Sequence, residues 1–365
     1  MDGKNKMNFP VLLRDLATGA MIGVANIIPG VSGGTFLLVF GIYGRVMASL
    51  DTIHKGMIAE LRNIAAAIPG ALVKPENRSR ICVWLTAHDF LFLSRLLLGA
   101  ATAILILSGV MKYLLTNQFE PTHAFFFGLI LVSIIIPFRL LQKWQAIHVV
   151  PLLAGLGLTI YVTNAVNPAT RARTKSEYYA GQLADESNSQ GPVRTYSVID
   201  YTAGALSGAC AVSAMALPGI SGSLVLILLG QYYTVLSAIS ELKHFSLEAA
   251  AFLGVFSIGM LLGILLFAKL ITWVLAHFHD VTMAFLTGLM GGSLWALWPF
   301  REKAVLDLYV KSGGTVAIVR DMVVHTNRNI FPSAEQLALP VIMFLLGCGV
   351  MSLFAFRREA SGEQA

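Results

Sequence analysis

Two short segments bring hydroxyls, glycines and a helix start together: PGVSGGT, from Pro29 to Thr35, and PGISGS, from Pro218 to Ser223. In each, the proline ends an incoming helix, and the glycines permit backbone geometry that other residues avoid. The apolar run that follows starts a new helix. Its first N–H groups have no intrahelical acceptors and carry the positive end of the helix dipole, about half a charge. Ser32, Thr35, Ser221 and Ser223 add hydroxyl donors at the same points. Bare positions at Gly30, Gly33, Gly34, Gly219 and Gly222, with Val31 and Ile220 between them, let an anion approach the amides closely. Phosphate binds helix N-termini in this way. A bare phosphate in hydrocarbon would cost on the order of tens of kcal/mol, so a site for it must offer many donors at once. One such turn alone reads as a simple hairpin reversal with a serine cap. Two in related settings favour a site where both helix starts converge on one anion.

Other polar residues carry less. Asn26, one turn before Pro29, would be costly in lipid and is expected to line the cavity. Arg95, near the start of an apolar run, can reach a phosphate or snorkel to the interface. Arg14 with Asp15 reads as a helix-entry pair, and Arg139 as a cytoplasmic anchor. His277, His279 and Asp280 suggest a metal, but positions two apart leave a helix on different faces and no third ligand lies near. No metal site, catalytic residue or cofactor is expected. The motif is not a nucleotide loop either, because no lysine precedes Thr35 and the segment follows a helix.

The elements that position these residues belong to a membrane. The chain has 365 residues, 56% hydrophobic and 13% charged, with a mean hydropathy of +0.71. Such a composition excludes soluble, disordered and collagen-like classes, and three cysteines cannot all pair. The polar start lacks a cleavage pattern and reads as retained. The net charge of +6 sits in short loops flanking apolar spans, which makes the basic residues topology determinants and not a nucleic-acid surface. With about 20 apolar residues per crossing, spans are expected at 92–116, 122–138, 147–166, 249–276, 282–299 and 336–356. The regions 11–49 and 199–240 each read as a helical hairpin broken at its Pro-Gly turn.

The two halves are related. At an offset of 189, Pro29–Tyr43 matches Pro218–Tyr232 at seven of fifteen positions, Gly41 with Gly230 among them. At an offset of 160, Thr122–Ser133 matches Thr282–Ser293 at six of twelve, and Gly99 falls on Gly259. The difference, 29 residues, is extra sequence within 51–94 of the first half. Lys4, Lys6 and Arg14 at the N-terminal end of the first hairpin, and Arg45, Lys55, Arg62, Lys74, Arg78, Arg80 and Arg95 from its other end onward, place both its ends in the cytoplasm. Three spans later the second hairpin must enter from the opposite face. Arg171, Arg173 and Lys175 in the outer loop run against this bias. The expected fold is an all-α polytopic membrane protein of two inverted-topology repeats, each a re-entrant or broken hairpin plus three transmembrane helices. The first repeat covers 1–166, a polar outer loop 167–198, the second repeat 199–357 and a cytoplasmic tail 358–365. Such a plan points to alternating access with a site where the breaks meet.

The strings NIIPGVSGGTFLLVFGIYGRV and ALPGISGSLVLILLGQYY resemble domain-of-unknown-function family 368, the polyprenyl-phosphate (undecaprenyl-phosphate) translocases of bacteria. The resemblance runs from about residue 10 to residue 300. It implies a flippase of the bacterial cytoplasmic (inner) membrane, with both termini cytoplasmic. Its substrate would be undecaprenyl phosphate, returned from the outer to the inner leaflet for peptidoglycan and other envelope polymers. Ser223 and Leu224 stand where the first motif has Gly34 and Thr35, so the half-sites need not contribute equally. Moving an anion inward opposes a negative-inside potential by about 2.3 kcal/mol per charge per 100 mV, so a coupling ion, proton or sodium, is left open. A polyprenyl-pyrophosphate phosphatase is the enzymatic alternative. Against it, Gly33 and Gly222 stand where the similar phosphatase motif has arginine, and no apolar span carries paired glutamates. A small-anion transporter is the other alternative.

Overall fold

The computed structural model describes residues 9–27, 32–51, 89–187, 196–242, 245–312 and 315–360. Pro29, Gly30 and Val31, most of the expected insertion (52–88) and Lys4 and Lys6 lie outside the described residues.

The chain is a helical polytopic membrane protein. Among the described residues, six helices are long and apolar enough to cross a bilayer, or up to eight if each of two bent pairs counts as a span. In chain order the helices are α1 (Phe9–Ile27), α2 (Gly33–Val39), α3 (Tyr43–Asp51), α4 (Phe90–Asn117), α5 (Phe119–Ser133) and α6 (Ile135–Arg139). There follow α7 (Val149–Ala165), α8 (Pro168–Ser187), α9 (Val198–Ala216), α10 (Gly222–Leu228), α11 (Tyr232–Leu242), α12 (Leu247–His277) and α13 (His279–Leu297). A two-stranded antiparallel hairpin, β1 (Arg301–Ser312) and β2 (Thr315–Asn329), precedes α14 (Ala338–Ala360). At 28 residues α4 is about 42 Å long, more than the roughly 30 Å hydrocarbon core. Leu97, Leu105, Leu153, Leu266 and Leu345 stay exposed along these helices, as a lipid-facing surface requires.

Each broken hairpin has two interruptions, not one. After the Pro-Gly break, α2 and α10 run only seven residues. The chain then bends by 113° into α3 and by 108° into α11. Gly41 (φ 67°) and Gly230 (φ 70°) make these bends, in the left-handed region that ends a helix at low cost only for glycine. The matched glycines of the duplication therefore mark a second turn where the sequence suggested a continuous helix.

Helix pairing repeats the same duplication. α1 packs on α4, and α9 on α12. A methyl group at Gly99 would strike the Leu16 carbonyl, and one at Gly259 the Ala205 carbonyl. Between the halves, α5 packs on α14 and α7 on α13. There Gly128 abuts the Phe344 carbonyl and Gly288 the Leu152 carbonyl. Small residues that let backbones touch are the usual means of holding helices together in lipid. The main apolar core, with Leu38, Met47, Leu286 and Leu289, joins α2 and α3 to α13.

The β-hairpin was not anticipated. Its signals were present: VLDLYV and VAIV are rich in β-branched and aromatic residues, and Gly313-Gly314 separates them. Ser312 pairs with Thr315 in the register. The hairpin packs on α8, where the Ser176 hydroxyl accepts from the Tyr309 amide at 2.7 Å. The Asn327 side chain donates to the Thr163 and Val166 carbonyls at 2.9 and 2.7 Å, satisfying the open end of α7.

Candidate functional site

The two breaks touch. Ser32, 2% exposed, is the N-cap of α2. Its hydroxyl accepts from the Gly34 amide and lies 2.9 Å from both the Met215 and Leu217 carbonyls, the last acceptors before Pro218. Gly34 packs against the Ala216 carbonyl so closely that a side chain there would clash. Asn26, at the end of α1, accepts from the Gly33 amide at 3.0 Å, and the Thr35 amide bonds to the Ser32 carbonyl. The first three amides of α2 are thus occupied within the protein, and Thr35 is 1% exposed.

The second break is different. Ser221 precedes α10 but makes no side-chain cap bond. Its hydroxyl lies 3.0 Å from that of Ser223, on the exposed side. The Leu224 and Val225 amides both use the Ser221 carbonyl. Among the described residues, the Gly222 and Ser223 amides have no acceptor. Gly219 turns at φ +83° with the Leu289 carbonyl against its Cα, so a side chain is excluded twice over. Ile220 is buried in the main core.

Gly219, Ser221 and Ser223 face a cavity of about 720 Å³, and Asn26 reaches it from the first break. Its other walls are the α4–α5 corner, the α7–α8 junction and the β-hairpin. Among the described residues, four charged side chains line it: Glu120, Arg171, Arg301 and Lys303. Lys303 pairs with Glu120 at 2.8 Å. Arg301 donates to the Trp298 and Ala296 carbonyls, and burial pushes its pKa down to about 10. The Arg171 guanidinium lies 5.4 Å from the Tyr232 ring centroid. His325 stacks on Phe119, centroids 3.6 Å apart, and Phe119 stacks on His123 at 3.8 Å. Burial lowers the His325 pKa to about 4.

Of the residues expected from sequence, the structure gathers Asn26, Ser32, Gly33, Gly34 and Thr35 with Pro218, Gly219, Ile220, Ser221, Gly222 and Ser223. It puts Arg95 elsewhere, 3.3 Å from the buried carboxylate of Asp15 and outside the cavity lining. His277 bonds the Trp273 carbonyl. Asp280 accepts from the Gln142 and Lys143 amides and holds His279, which anchors the loop after α6. Sequence reading missed Arg171, Arg301, Lys303, His123 and His325. The signal for Arg171 was its place in a segment expected on the outer side, where the charge bias disfavours cations.

Comparison with known proteins agrees with the motif resemblance. The sequence model of an undecaprenyl phosphate translocase-like family matches residues 22–317. A protein of Vibrio cholerae named polyprenyl-phosphate transporter is 32% identical over 314 residues, 86% of this chain and 84% of its own. One of the same name from Staphylococcus aureus is 30% identical over 290 residues, 78% of this chain and 86% of its own. No solved structure matches. With duplicated breaks that meet at a cation-lined cavity and a match across most of its length, the chain belongs to the undecaprenyl phosphate translocase-like family.

Proposed function

We propose that the protein transports undecaprenyl phosphate across the bacterial cytoplasmic membrane, from the outer to the inner leaflet, for reuse in envelope polymer synthesis. The observation that carries this reading is the cavity whose floor is the second break and whose walls carry three cations against one carboxylate. Its neutral donors are the Ser221 and Ser223 hydroxyls. Ser32, Gly33, Gly34 and Thr35 form the supporting half that holds the second break in place. Only the headgroup needs this polar path, because the prenyl tail can stay in the bilayer.

Counting crossings from a cytoplasmic N-terminus puts the α4–α5 corner, the α7–α8 junction and the β-hairpin all on the outer side. The cavity then opens outward, as a carrier collecting its load from the outer leaflet requires. The inverted arrangement of the halves belongs to this reading. The test is made on cells: a reagent that traps phosphate headgroups outside should capture more undecaprenyl phosphate when the protein is absent. Equal capture with and without the protein contradicts the proposal.

A second reading draws on His123, His325 and Glu120, which bring proton-transfer groups to the same cavity. It makes the protein a polyprenyl-pyrophosphate phosphatase. Glu120 is, however, engaged by Lys303, and His123 Nδ1 lies 3.0 Å from the Phe119 carbonyl. Inorganic phosphate released from polyprenyl pyrophosphate by the purified protein would support this second reading.

A further inference from the structure

We propose that Arg301 and Arg171 are the counter-cations for a phosphate monoester seated in this cavity, with Arg301 delivered to it by the β-hairpin. The inference rests on the transport reading and deepens it by naming the residues that set headgroup charge. Neither arginine lies in the Pro-Gly motifs.

The charge count of the lining is informative. Glu120 and Lys303 neutralise each other at 2.8 Å. Arg171 and Arg301 are left with no carboxylate in ion-pair range among the described residues. Arg301 bonds two carbonyls through Nε and Nη2, leaving Nη1 with no acceptor among the described residues. Those carbonyls supply dipoles, not charge. A guanidinium withdrawn from water without an anion is held at a cost, and its depressed pKa reflects that cost. An anion entering the cavity removes it.

A phosphate monoester carries about −1.5 to −2 charges near neutral pH, which balances two arginines. A diphosphate carries more and overshoots. Guanidinium also presents parallel N–H donors that fit phosphate oxygens, which a lysine does not. The Ser221 and Ser223 hydroxyls face the same space, so the phosphate would meet charge from the hairpin side and neutral donors from the break.

The experiment measures binding to the full-length protein in lipid nanodiscs, with a polyprenyl monophosphate, the same chain as its diphosphate, and inorganic phosphate. The monophosphate should bind at least about tenfold tighter than the diphosphate, and Arg171→Gln and Arg301→Gln should each weaken it about tenfold or more, the scale of a charged hydrogen bond. Arg301→Lys should recover only part of the loss. Because Arg301 also braces the Ala296 and Trp298 carbonyls, Arg171→Gln, which breaks no such bond, keeps the test independent of folding. If the native protein binds no polyprenyl monophosphate, the transport reading falls. If it binds, and both glutamine variants bind equally well, the transport reading stands and this inference is overturned. Inorganic phosphate binding as tightly as the prenyl monophosphate would assign the site to free phosphate and overturn the lipid headgroup.

Discussion

Ser32 and Ser221 occupy equivalent places in the two breaks and do different work. Ser32 is buried and bonded on three sides, so its hydroxyl fastens one break to the other. Among the described residues, Ser221 shares its hydroxyl with Ser223 alone, and it faces the cavity. Ser32→Ala should therefore lower stability by about 0.5–2 kcal/mol, the range for losing an N-cap, seen as a lower melting temperature in detergent. The Ser221→Ala/Ser223→Ala double variant should melt within about 0.5 kcal/mol of the native protein, as substitutions away from packed features do, and bind polyprenyl phosphate more weakly. The motif sequence makes the two serines look alike, and does not reveal that one braces the neighbouring break while the other faces the cavity. That division depends on which break lies under the packed core, and only the fold decides it.

At the level of elements, the spans were legible because long apolar runs leave little choice: the expected 249–276 is α12, Leu247–His277. The seven-residue lengths of α2 and α10 were not, since Gly41 and Gly230 look like ordinary helix glycines until the chain is seen to turn there. The β-hairpin lies in a polar stretch between spans, where no apolar run marks it, yet it carries Arg301, Lys303 and His325 to the cavity. Its docking should depend on pH. His325 titrates at about 4 in the fold against 6.5 when free, so the unfolded or undocked state binds the extra proton first. Stability from the His325–Phe119 stack is present above pH 6.5 and is lost as pH falls toward 4. Amide hydrogen exchange in β2 should rise over that window, faster than in α12. His325→Phe, which keeps the stack without the proton, should flatten the response. Asn327→Ala should raise β2 exchange at all pH values by freeing the α7 carbonyls.

For the whole molecule, the duplication is strict in packing and broken in charge. Arg45 grips Asp89 through two hydrogen bonds of 2.8 and 2.9 Å, and that contact holds the Asp89 carboxyl below its ordinary pKa. Arg95 reaches Asp15 on the same side. The matching positions of the other half are Thr234 with Ala249 and Gly204 with Val255, none of them charged. The ion pairs lie in one half and the cavity opens beside the break of the other, an asymmetry that suits the proposed alternating-access carrier. With native cysteines replaced, Ser223→Cys should react with an impermeant maleimide added outside the cell, and Arg139→Cys only in inside-out vesicles. The reverse pattern would invert the proposed topology. Asp89→Asn should raise hydrogen exchange in α3, where the anchor of Arg45 is lost.

The most direct measurement follows a short-chain fluorescent polyprenyl phosphate in vesicles containing the purified protein. A reagent confined to one side should bleach the whole lipid pool when the protein is present and about half of it in empty vesicles, the share of one leaflet. Ser221→Ala/Ser223→Ala and Arg171→Gln should slow the second half of the decay. If protein-containing vesicles stop at the same half as empty ones under every imposed potential, pH and sodium gradient, the protein does not carry this lipid across the bilayer.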